Sequence, residues 1–138
     1  MDRAFVDTDI ILDLLAERNP FYKSAAILFS KADRGDITLC VSTLSFANTH
    51  FLLRKKFSER ESRKILMGFK TLVHILATTD KVIDRALASG FSDFEDAVQY
   101  YTASENNVNL LLTRNLKDYK LAKIPVMTAE AYIKTIGS

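Results

Sequence analysis

The fold of this chain is decided near its start, by the segment Arg3-Ala4-Phe5-Val6-Asp7-Thr8-Asp9-Ile10-Ile11-Leu12-Asp13-Leu14. The first residues form a short apolar run rich in strand formers, and the later ones follow the apolar spacing of a helix. Asp7 and Asp9 lie between the two patterns. Open α/β sheets place ligands at the carboxyl ends of their strands, and two nearby carboxylates repel unless a cation or a proton lies between them. The segment therefore predicts half of a divalent-metal site.

Strand and helix patterns alternate along the rest of the chain. The candidate strands are short and apolar nearly throughout, as in parallel sheets covered on both faces: Arg3–Asp7, Ile37–Ser42, Val73–Thr78, Val108–Thr113 and Pro125–Thr128. Helical patterns lie between them, at Ile10–Arg18, Tyr22–Ala32, Leu44–Lys56, Glu59–Thr71, Val82–Ser89 and Asp93–Asn107, with a last helix after Thr128. This alternation predicts a three-layer α/β/α sandwich with a central, mainly parallel sheet of about five strands. A length of 138 residues fits a single domain over 1–138.

Composition limits the classes of protein that fit. The formal net charge of +2 gives no general electrostatic argument for nucleic-acid binding. Cys40 is alone in the sequence, so it is interpreted as a small core residue rather than part of a disulfide. No apolar run approaches the roughly 18 residues of a membrane span, and no signal peptide is evident, so we expect a soluble cytoplasmic protein without a membrane partner. The densest basic region is either a solvated helix face or a contact for a polyanion: Arg54, Lys55, Lys56, Arg60, Arg63 and Lys64.

Acidic residues mark the start of the helix predicted at Asp93–Asn107. Ser92 and Glu95 fit a capping box, and Asp93 in the first turn is explained by the helix dipole. Asp96 shares a helix face with Asp93 and lies beside the apolar stripe, where a charge needs a partner. Asp96 is therefore either a functional acid or a solvated first-turn residue.

The helix after the second predicted strand carries an unexpected amide. Its inward stripe is predicted to consist of Asn48 with Leu44, Ala47 and Phe51. A buried amide has to be hydrogen-bonded or has to coordinate a ligand, so Asn48 either ties two elements together or contributes to a site. Ser42, at the end of the preceding strand, is explained by helix capping or by the same site.

The fourth predicted strand runs into a polar segment, Thr113-Arg114-Asn115-Leu116-Lys117-Asp118-Tyr119. Thr113 and Asn115 lie at the end of the strand, and Asp118 follows within about one helical turn. The carboxyl ends of parallel strands share one edge of a sheet. We therefore expect Asp7, Ser42 and Thr113 to face one crevice, with Asp96 and Asp118 within side-chain reach.

Taken together, these segments resemble the PIN domain, a metal-dependent ribonuclease fold that includes the VapC-like toxins of toxin–antitoxin pairs. The resemblance covers nearly the whole chain and depends on three pieces: Phe5–Leu15, Asp93–Ala97 and Thr113–Tyr119. The first piece is weak alone, but the ordered set at these separations is specific. The resemblance implies an endoribonuclease that is the toxin of a type II pair, with RNA as substrate, an antitoxin partner and a homodimeric state.

The resemblance also implies roles for individual residues. Asp7, Asp96 and Asp118 match the family's catalytic acids, which would hold Mg²⁺ or Mn²⁺ for phosphodiester hydrolysis. Thr113 matches a hydroxyl residue found near that metal. Arg114 and Lys117 are candidates to bind RNA phosphates, or are simply solvated. The supporting candidates are the other polar residues of this edge: Asp9, Ser42, Asn48, Asp93, Thr113 and Asn115.

Two positions depart from the family pattern. Asp9 stands where the family commonly has Asn or Ser, which adds an acid. Asn48 ends a motif, Val41–Asn48, whose last residue is usually Glu. An amide oxygen can bind Mg²⁺ but adds no negative charge, so Asp9 or Asp93 is the candidate to restore that charge.

Two other functions stay open. Asp7-Thr8-Asp9 after an apolar strand is also similar to haloacid-dehalogenase-type phosphatases, with Asp7 as nucleophile and Asp9 as general acid. Against this, Ile10 and Ile11 replace the glycine and threonine that normally follow, and the sequence has no later Asp-Asp pair. The other alternative is a PIN-like domain that binds RNA or protein without catalysis, which Asn48 favours.

Overall fold

A five-stranded parallel sheet forms the centre of residues 2–137, the part of the chain that this computed structural model describes. The strands are β1 (Arg3–Val6), β2 (Thr38–Ser42), β3 (His74–Leu76), β4 (Leu110–Leu112) and β5 (Val126–Met127). Their order across the sheet is β3-β2-β1-β4-β5, and every neighbouring pair is parallel. Because β1 is the central strand, the residues that follow it lie at the middle of the carboxyl edge.

Helices cover both faces of this sheet. They are α1 (Thr8–Leu15), α2 (Tyr22–Asp33), α3 (Thr43–Leu53), α4 (Glu59–Lys70), α5 (Asp80–Leu87), α6 (Phe94–Ser104) and α7 (Ala129–Thr135), with a 3-10 turn at Leu116–Tyr119. Alternate side chains of a strand face opposite sides of the sheet. Ala4 and Val6 accordingly pack in a cluster with Leu28 of α2, whereas Phe5 packs with Tyr100 of α6. The predicted three-layer α/β/α sandwich is confirmed.

The predicted elements are present within residues 2–137, with boundaries shifted by a few residues. The first helix, predicted at Ile10–Arg18, begins earlier because Asp7 caps it at Thr8. Cys40 is a buried free thiol, as predicted. No helix of the described residues is long and apolar enough to cross a membrane.

The inward face predicted for α3 is wrong. Its buried residues are Ser45, Thr49 and Leu53, whereas Phe51 is 67% exposed. Two of the inward side chains, Ser45 and Thr49, are polar but have hydrogen-bond partners. The Thr49 hydroxyl donates to the Ser45 carbonyl at 2.7 Å, and Ser45 Oγ accepts from a side chain of α6. A face chosen by its apolar residues therefore missed the side of the helix that packs on the sheet. Asn48 lies half-buried at the border of this face.

Candidate active site

Asp7 lies at the centre of the carboxyl edge, directly after β1. Its extended backbone makes it the N-cap of α1, and its Oδ1 accepts a hydrogen bond from the Thr8 backbone N–H at 2.8 Å. Its exposure is only 9%. The structure thus places a nearly buried carboxylate at the mouth of the central strand.

Besides this backbone N–H, three side chains donate hydrogen bonds to Asp7. Thr113, after β4, reaches Oδ2 at 2.9 Å, and Tyr119 of the 3-10 turn reaches the same oxygen at 3.2 Å. Gln99 of α6 donates from Nε2 to Oδ1 at 3.4 Å. All of these donors are neutral, and none of the ion pairs within residues 2–137 includes Asp7. Burial raises the pKa of Asp7, although the hydrogen bonds from Thr113 and Gln99 oppose that rise.

Asp96 approaches Asp7 from the first turn of α6. The Tyr119 hydroxyl lies 3.4 Å from Asp96 Oδ1 and 3.2 Å from Asp7 Oδ2, so one hydroxyl bridges the two carboxylates. Burial first, and then the negative charges of Asp93, Asp7 and Asp118, raise the pKa of Asp96 to about 7. Asp118 itself is exposed on the 3-10 turn. The structure therefore brings the three predicted acids into one electrostatic neighbourhood.

The start of α6 differs from the prediction. The N-cap is Asp93, whose Oδ1 accepts the Asp96 N–H at 2.9 Å, so the capping box predicted at Ser92 is wrong. The helix starts one residue later than that box requires, and Glu95 is left free of the capping role. Instead, Glu95 Oε1 accepts a hydrogen bond from Asn48 Nδ2 at 2.8 Å. Asn48 therefore ties α3 to α6, which is one of the two roles left open by the sequence.

The carboxylate of Asp9 is surrounded by cationic and amide groups. Arg18 Nη2 lies 3.2 Å and Arg114 Nη2 lies 3.6 Å from Asp9 Oδ1. Asn115 Nδ2 donates to Asp9 Oδ2 at 3.4 Å. Arg114 and Asn115, two of the candidate site residues, thus contact Asp9. The positive charges of Arg18 and Arg114 offset the charge of Asp9, the extra acid considered above as a replacement for the glutamate absent at Asn48.

Asp13 is a buried acid to which the sequence gave no role. It is 2% exposed and lies 3.1 Å from Arg18 Nη2 and 3.2 Å from Arg114 Nε. Burial raises the pKa of Asp13, and the charges of Arg114 and Arg18 act in the opposite direction. The Arg114 guanidinium also lies over the ring of Phe21, 3.9 Å from its centroid. Arg114 therefore already has carboxylate and aromatic partners within the protein, whereas Lys117 is exposed.

A buried polar network joins Asp7 to the start of α3. Ser42 caps α3 by accepting the Ser45 N–H at 2.9 Å, and its hydroxyl donates to Gln99 Oε1. Gln99 Nε2 donates to Ser45 Oγ at 2.9 Å, and Ser45 Oγ is also hydrogen-bonded to Thr8 Oγ1. Ser42 thus takes part in both roles that the sequence left open, since it caps a helix and contacts the residues around Asp7.

Three residues of this site were missed by sequence reasoning: Gln99, Ser45 and Tyr119. Gln99 carried a usable signal, because it is a polar residue that stands between Val98 and Tyr100 in a predicted helix. Ser45 and Tyr119 gave no comparable signal. Their role appears once the fold places α3 and the 3-10 turn beside β1.

The oxygen atoms around Asp7 and Asp96 fit a hard divalent cation. Carboxylate and hydroxyl oxygens are the ligand types that Mg²⁺ and Mn²⁺ prefer. Within residues 2–137 no three carboxylate, imidazole or thiol side chains form a closed cage. Mg²⁺ does not need one, because it usually keeps several waters and binds through one or two carboxylates. Burial first, and then the charges of neighbouring acids, raise the pKa of Asp96, and a bound cation would neutralise those charges.

Comparison with known proteins identifies the family. The family model described as the PIN domain matches residues 3–117. The chain is also 30% identical to Ribonuclease VapC1 from Aquifex aeolicus, over 95% of this chain and 93% of that protein. The chain therefore belongs to the PIN domain family, and the resemblance indicated by its motifs is confirmed.

Solved structures show the same fold. VapBC-1 from nontypeable Haemophilus influenzae matches with a TM-score of 0.68 and 13% identity, covering 93% of this chain and 98% of that one. A toxin–antitoxin complex from Klebsiella pneumoniae matches with a TM-score of 0.67 and 23% identity, covering 91% of this chain and 97% of that one. At these identities the likeness shows the fold alone. It agrees with the parallel sheet described above.

Proposed function

We propose that this protein is a divalent-metal-dependent endoribonuclease and the toxin of a type II toxin–antitoxin pair. The observation that carries the proposal is the pair formed by Asp7 and Asp96. One tyrosine hydroxyl bridges the two carboxylates, and no ion pair of residues 2–137 neutralises either of them. Membership of the PIN domain family and the similarity to a ribonuclease support RNA as the substrate.

Asp7 and Asp96 are the residues that would hold Mg²⁺ or Mn²⁺. Such a cation supplies an activated water and stabilises negative charge on the phosphate during hydrolysis. Thr113 holds one oxygen of Asp7 and Gln99 holds the other, so the carboxylate is oriented before any cation binds. Asp118, which is exposed on the 3-10 turn, would bind a second cation or orient the attacking water.

Cationic side chains near the acids are the candidates to contact RNA phosphates. Lys117 is exposed and directly precedes Asp118 in the chain. Arg114 has Asp9 and Asp13 as partners, so it contributes less free positive charge to the surface. We assign phosphate binding to Lys117 first, and to Arg114 second.

An antitoxin protein is the proposed partner of this chain. The structural relatives named above include a toxin–antitoxin complex, which supports such a partner. A homodimeric state is a further proposal that follows from the family resemblance, and a cytoplasmic location is one that the lone Cys40 favours. Co-expression of this chain with the product of the adjacent reading frame, followed by size-exclusion chromatography, tests both the partner and the oligomeric state.

The nuclease proposal is tested with purified protein and a mixed RNA, in Mg²⁺, in Mn²⁺ and in EDTA. The wild-type protein is expected to cleave with either cation and to be inactive in EDTA. Asp7→Asn is expected to lose cleavage, because it removes a charged cation ligand. Asp84→Asn, exposed on α5, is the matched control and is expected to cleave like the wild type. Cleavage by Asp7→Asn at the wild-type rate would remove the proposed mechanism.

A catalytically silent PIN domain is the second candidate, and Asn48 is the observation that favours it. Its amide brings no charge, and its Nδ2 is used in the hydrogen bond to Glu95. RNA binding without cleavage, and without Mn²⁺ binding, would favour this candidate. The phosphatase alternative receives no support from the geometry, because its general acid, Asp9, is ion-paired with Arg18 and Arg114.

A further inference from the structure

Gln99 is a buried side chain whose amide contacts the central carboxylate of the site. We propose that Gln99 is a positioning residue: its amide fixes the orientation of the Asp7 carboxylate and thereby sets the affinity of the site for a divalent cation. The inference rests on the proposed function, because it concerns the same metal site.

The neighbours of Gln99 determine which end of its amide faces Asp7. Ser42 Oγ accepts the backbone N–H of Ser45 at 2.9 Å, so its own hydrogen is available to Gln99 Oε1. Oε1 therefore faces Ser42, and the two hydrogens of Nε2 face Ser45 Oγ and Asp7 Oδ1. The reverse orientation would place an amide oxygen against a carboxylate, which is repulsive.

The two oxygens of Asp7 are held by different elements. Thr113 and Tyr119 donate to Oδ2 at 2.9 and 3.2 Å. Gln99 and the Thr8 backbone N–H donate to Oδ1, so Gln99 is the long-range contact of that oxygen. At 3.4 Å this contact is longer than a typical hydrogen bond. Replacing Gln99 is therefore expected to reduce the affinity for the cation by an amount at the lower end of the range for residues that hold a metal ligand in place.

Thr102 offers a matched comparison on the same helix. It is fully buried, like Gln99, and its hydroxyl donates to the Val98 carbonyl at 2.8 Å. It also contacts the Thr78 hydroxyl, but it has no hydrogen bond to Asp7. Replacing Thr102 by valine removes a buried polar group from α6 and leaves the surroundings of Asp7 unchanged.

Mn²⁺ titration calorimetry without RNA tests the inference on the wild type, Gln99→Met and Thr102→Val. Gln99→Met keeps the length of the side chain and removes the amide. It is expected to weaken Mn²⁺ binding by about tenfold, whereas Thr102→Val binds like the wild type. Cleavage assays add a second readout: the activity lost in Gln99→Met is expected to recover at high Mn²⁺ concentration, which a purely structural defect would not allow.

The outcomes separate this inference from the proposed function. If the wild type binds Mn²⁺ and Gln99→Met binds it equally tightly, the inference is overturned and the nuclease proposal stands. If the wild type does not bind Mn²⁺, the metal site and the inference are both overturned. Circular dichroism verifies the fold of each variant. If Gln99→Met does not fold, Gln99→Asn replaces it with the same expectation, because it withdraws the amide from Asp7 by one carbon–carbon bond.

Discussion

Two pairs of acids differ in what opposes their charge: one pair lies on α1, and the other consists of the N-cap of α1 and a residue of α6. The arginine-paired acids are Asp9 and Asp13, which contact two guanidinium groups at 3.1–3.6 Å. The hydroxyl-bridged acids are Asp7 and Asp96, which share a tyrosine hydroxyl and take part in no ion pair within residues 2–137. Arginine side chains of the protein itself thus neutralise the arginine-paired acids, whereas no cation of residues 2–137 pairs with the hydroxyl-bridged acids.

This difference indicates what each pair does. A buried carboxylate with arginine partners is part of the folded structure, and losing it leaves those arginines without their partners. Two carboxylates that share only a neutral donor keep their mutual repulsion, which contributes to the raised pKa of Asp96 after burial and the charge of Asp93. Only a proton or an added cation relieves that repulsion. We therefore expect substitutions in the hydroxyl-bridged acids to change activity, and substitution of Asp13, the buried member of the arginine-paired acids, to change stability.

The largest expected effect is the loss of cleavage in Asp96→Asn. Removing a proposed cation ligand is expected to lower kcat/KM by roughly a thousandfold, which corresponds to several kcal/mol of transition-state stabilisation. The variant should stay folded, because the substitution removes repulsion from Asp7, Asp93 and Asp118. Initial rates on a defined RNA measure the effect, with Asp84→Asn as the control. An Asp96→Asn protein that keeps more than about a tenth of the activity would place Asp96 outside the catalytic site.

The next effect is on stability, in Asp13→Asn. Breaking the contacts of this buried acid with Arg18 and Arg114 is expected to lower the free energy of unfolding by about 3 kcal/mol. Urea denaturation measures the change. The matched control is Asp36→Asn, which removes an exposed pair with Arg34 and should cost less than about 1 kcal/mol. Equal losses in the two variants would contradict a structural role for the arginine-paired acids.

The third expected effect is a dependence of the protein's stability on pH that is caused by Asp96. Its pKa in the folded protein, about 7, lies above the value of about 4 in an unfolded chain, so the folded state binds more protons between these values. The contribution of Asp96 to stability is therefore largest at low pH and is lost as the pH rises toward 7. Melting temperatures from pH 5 to pH 8 should fall more for the wild type than for Asp96→Asn. Parallel curves for the two proteins would contradict this expectation.

The smallest effect is expected for Asp9→Asn. Because Arg18 and Arg114 already neutralise Asp9, its removal should change the dissociation constant for Mn²⁺ by less than about threefold and the free energy of unfolding by less than about 1 kcal/mol. Calorimetry and urea denaturation measure the two quantities. A tenfold weaker Mn²⁺ affinity would instead show that Asp9 replaces the charge missing at Asn48.

The sheet was the most predictable part of this protein. Strands buried on both faces have to be apolar, so segments such as Ile37–Ser42 stand out in the sequence. The face of α3 was not predictable in the same way. Ser45 and Thr49 point inward because their hydroxyls find partners there, and a pattern of apolar residues does not show such partners.

The candidate site was predictable in its acids but not in their partners. Asp7 and Asp96 lie at a strand end and in a first helical turn, and both positions can be read from local patterns. The contact of Arg114 with Asp9 cannot be read in this way, because the two residues are more than a hundred positions apart in the chain. Tyr119 likewise reaches Asp7 only after β4 pairs with β1. The sequence therefore predicted which acids belong to the site. Only the folded structure shows which acids have arginine partners and which do not.

The most direct test of this account is a Mn²⁺ titration of the wild type, Asp96→Asn and Asp9→Asn at neutral pH. The account predicts that the wild type and Asp9→Asn bind the ion with similar affinity, and that Asp96→Asn binds it at least about tenfold more weakly. Equal binding by Asp96→Asn and the wild type would contradict it, as would a loss of binding confined to Asp9→Asn.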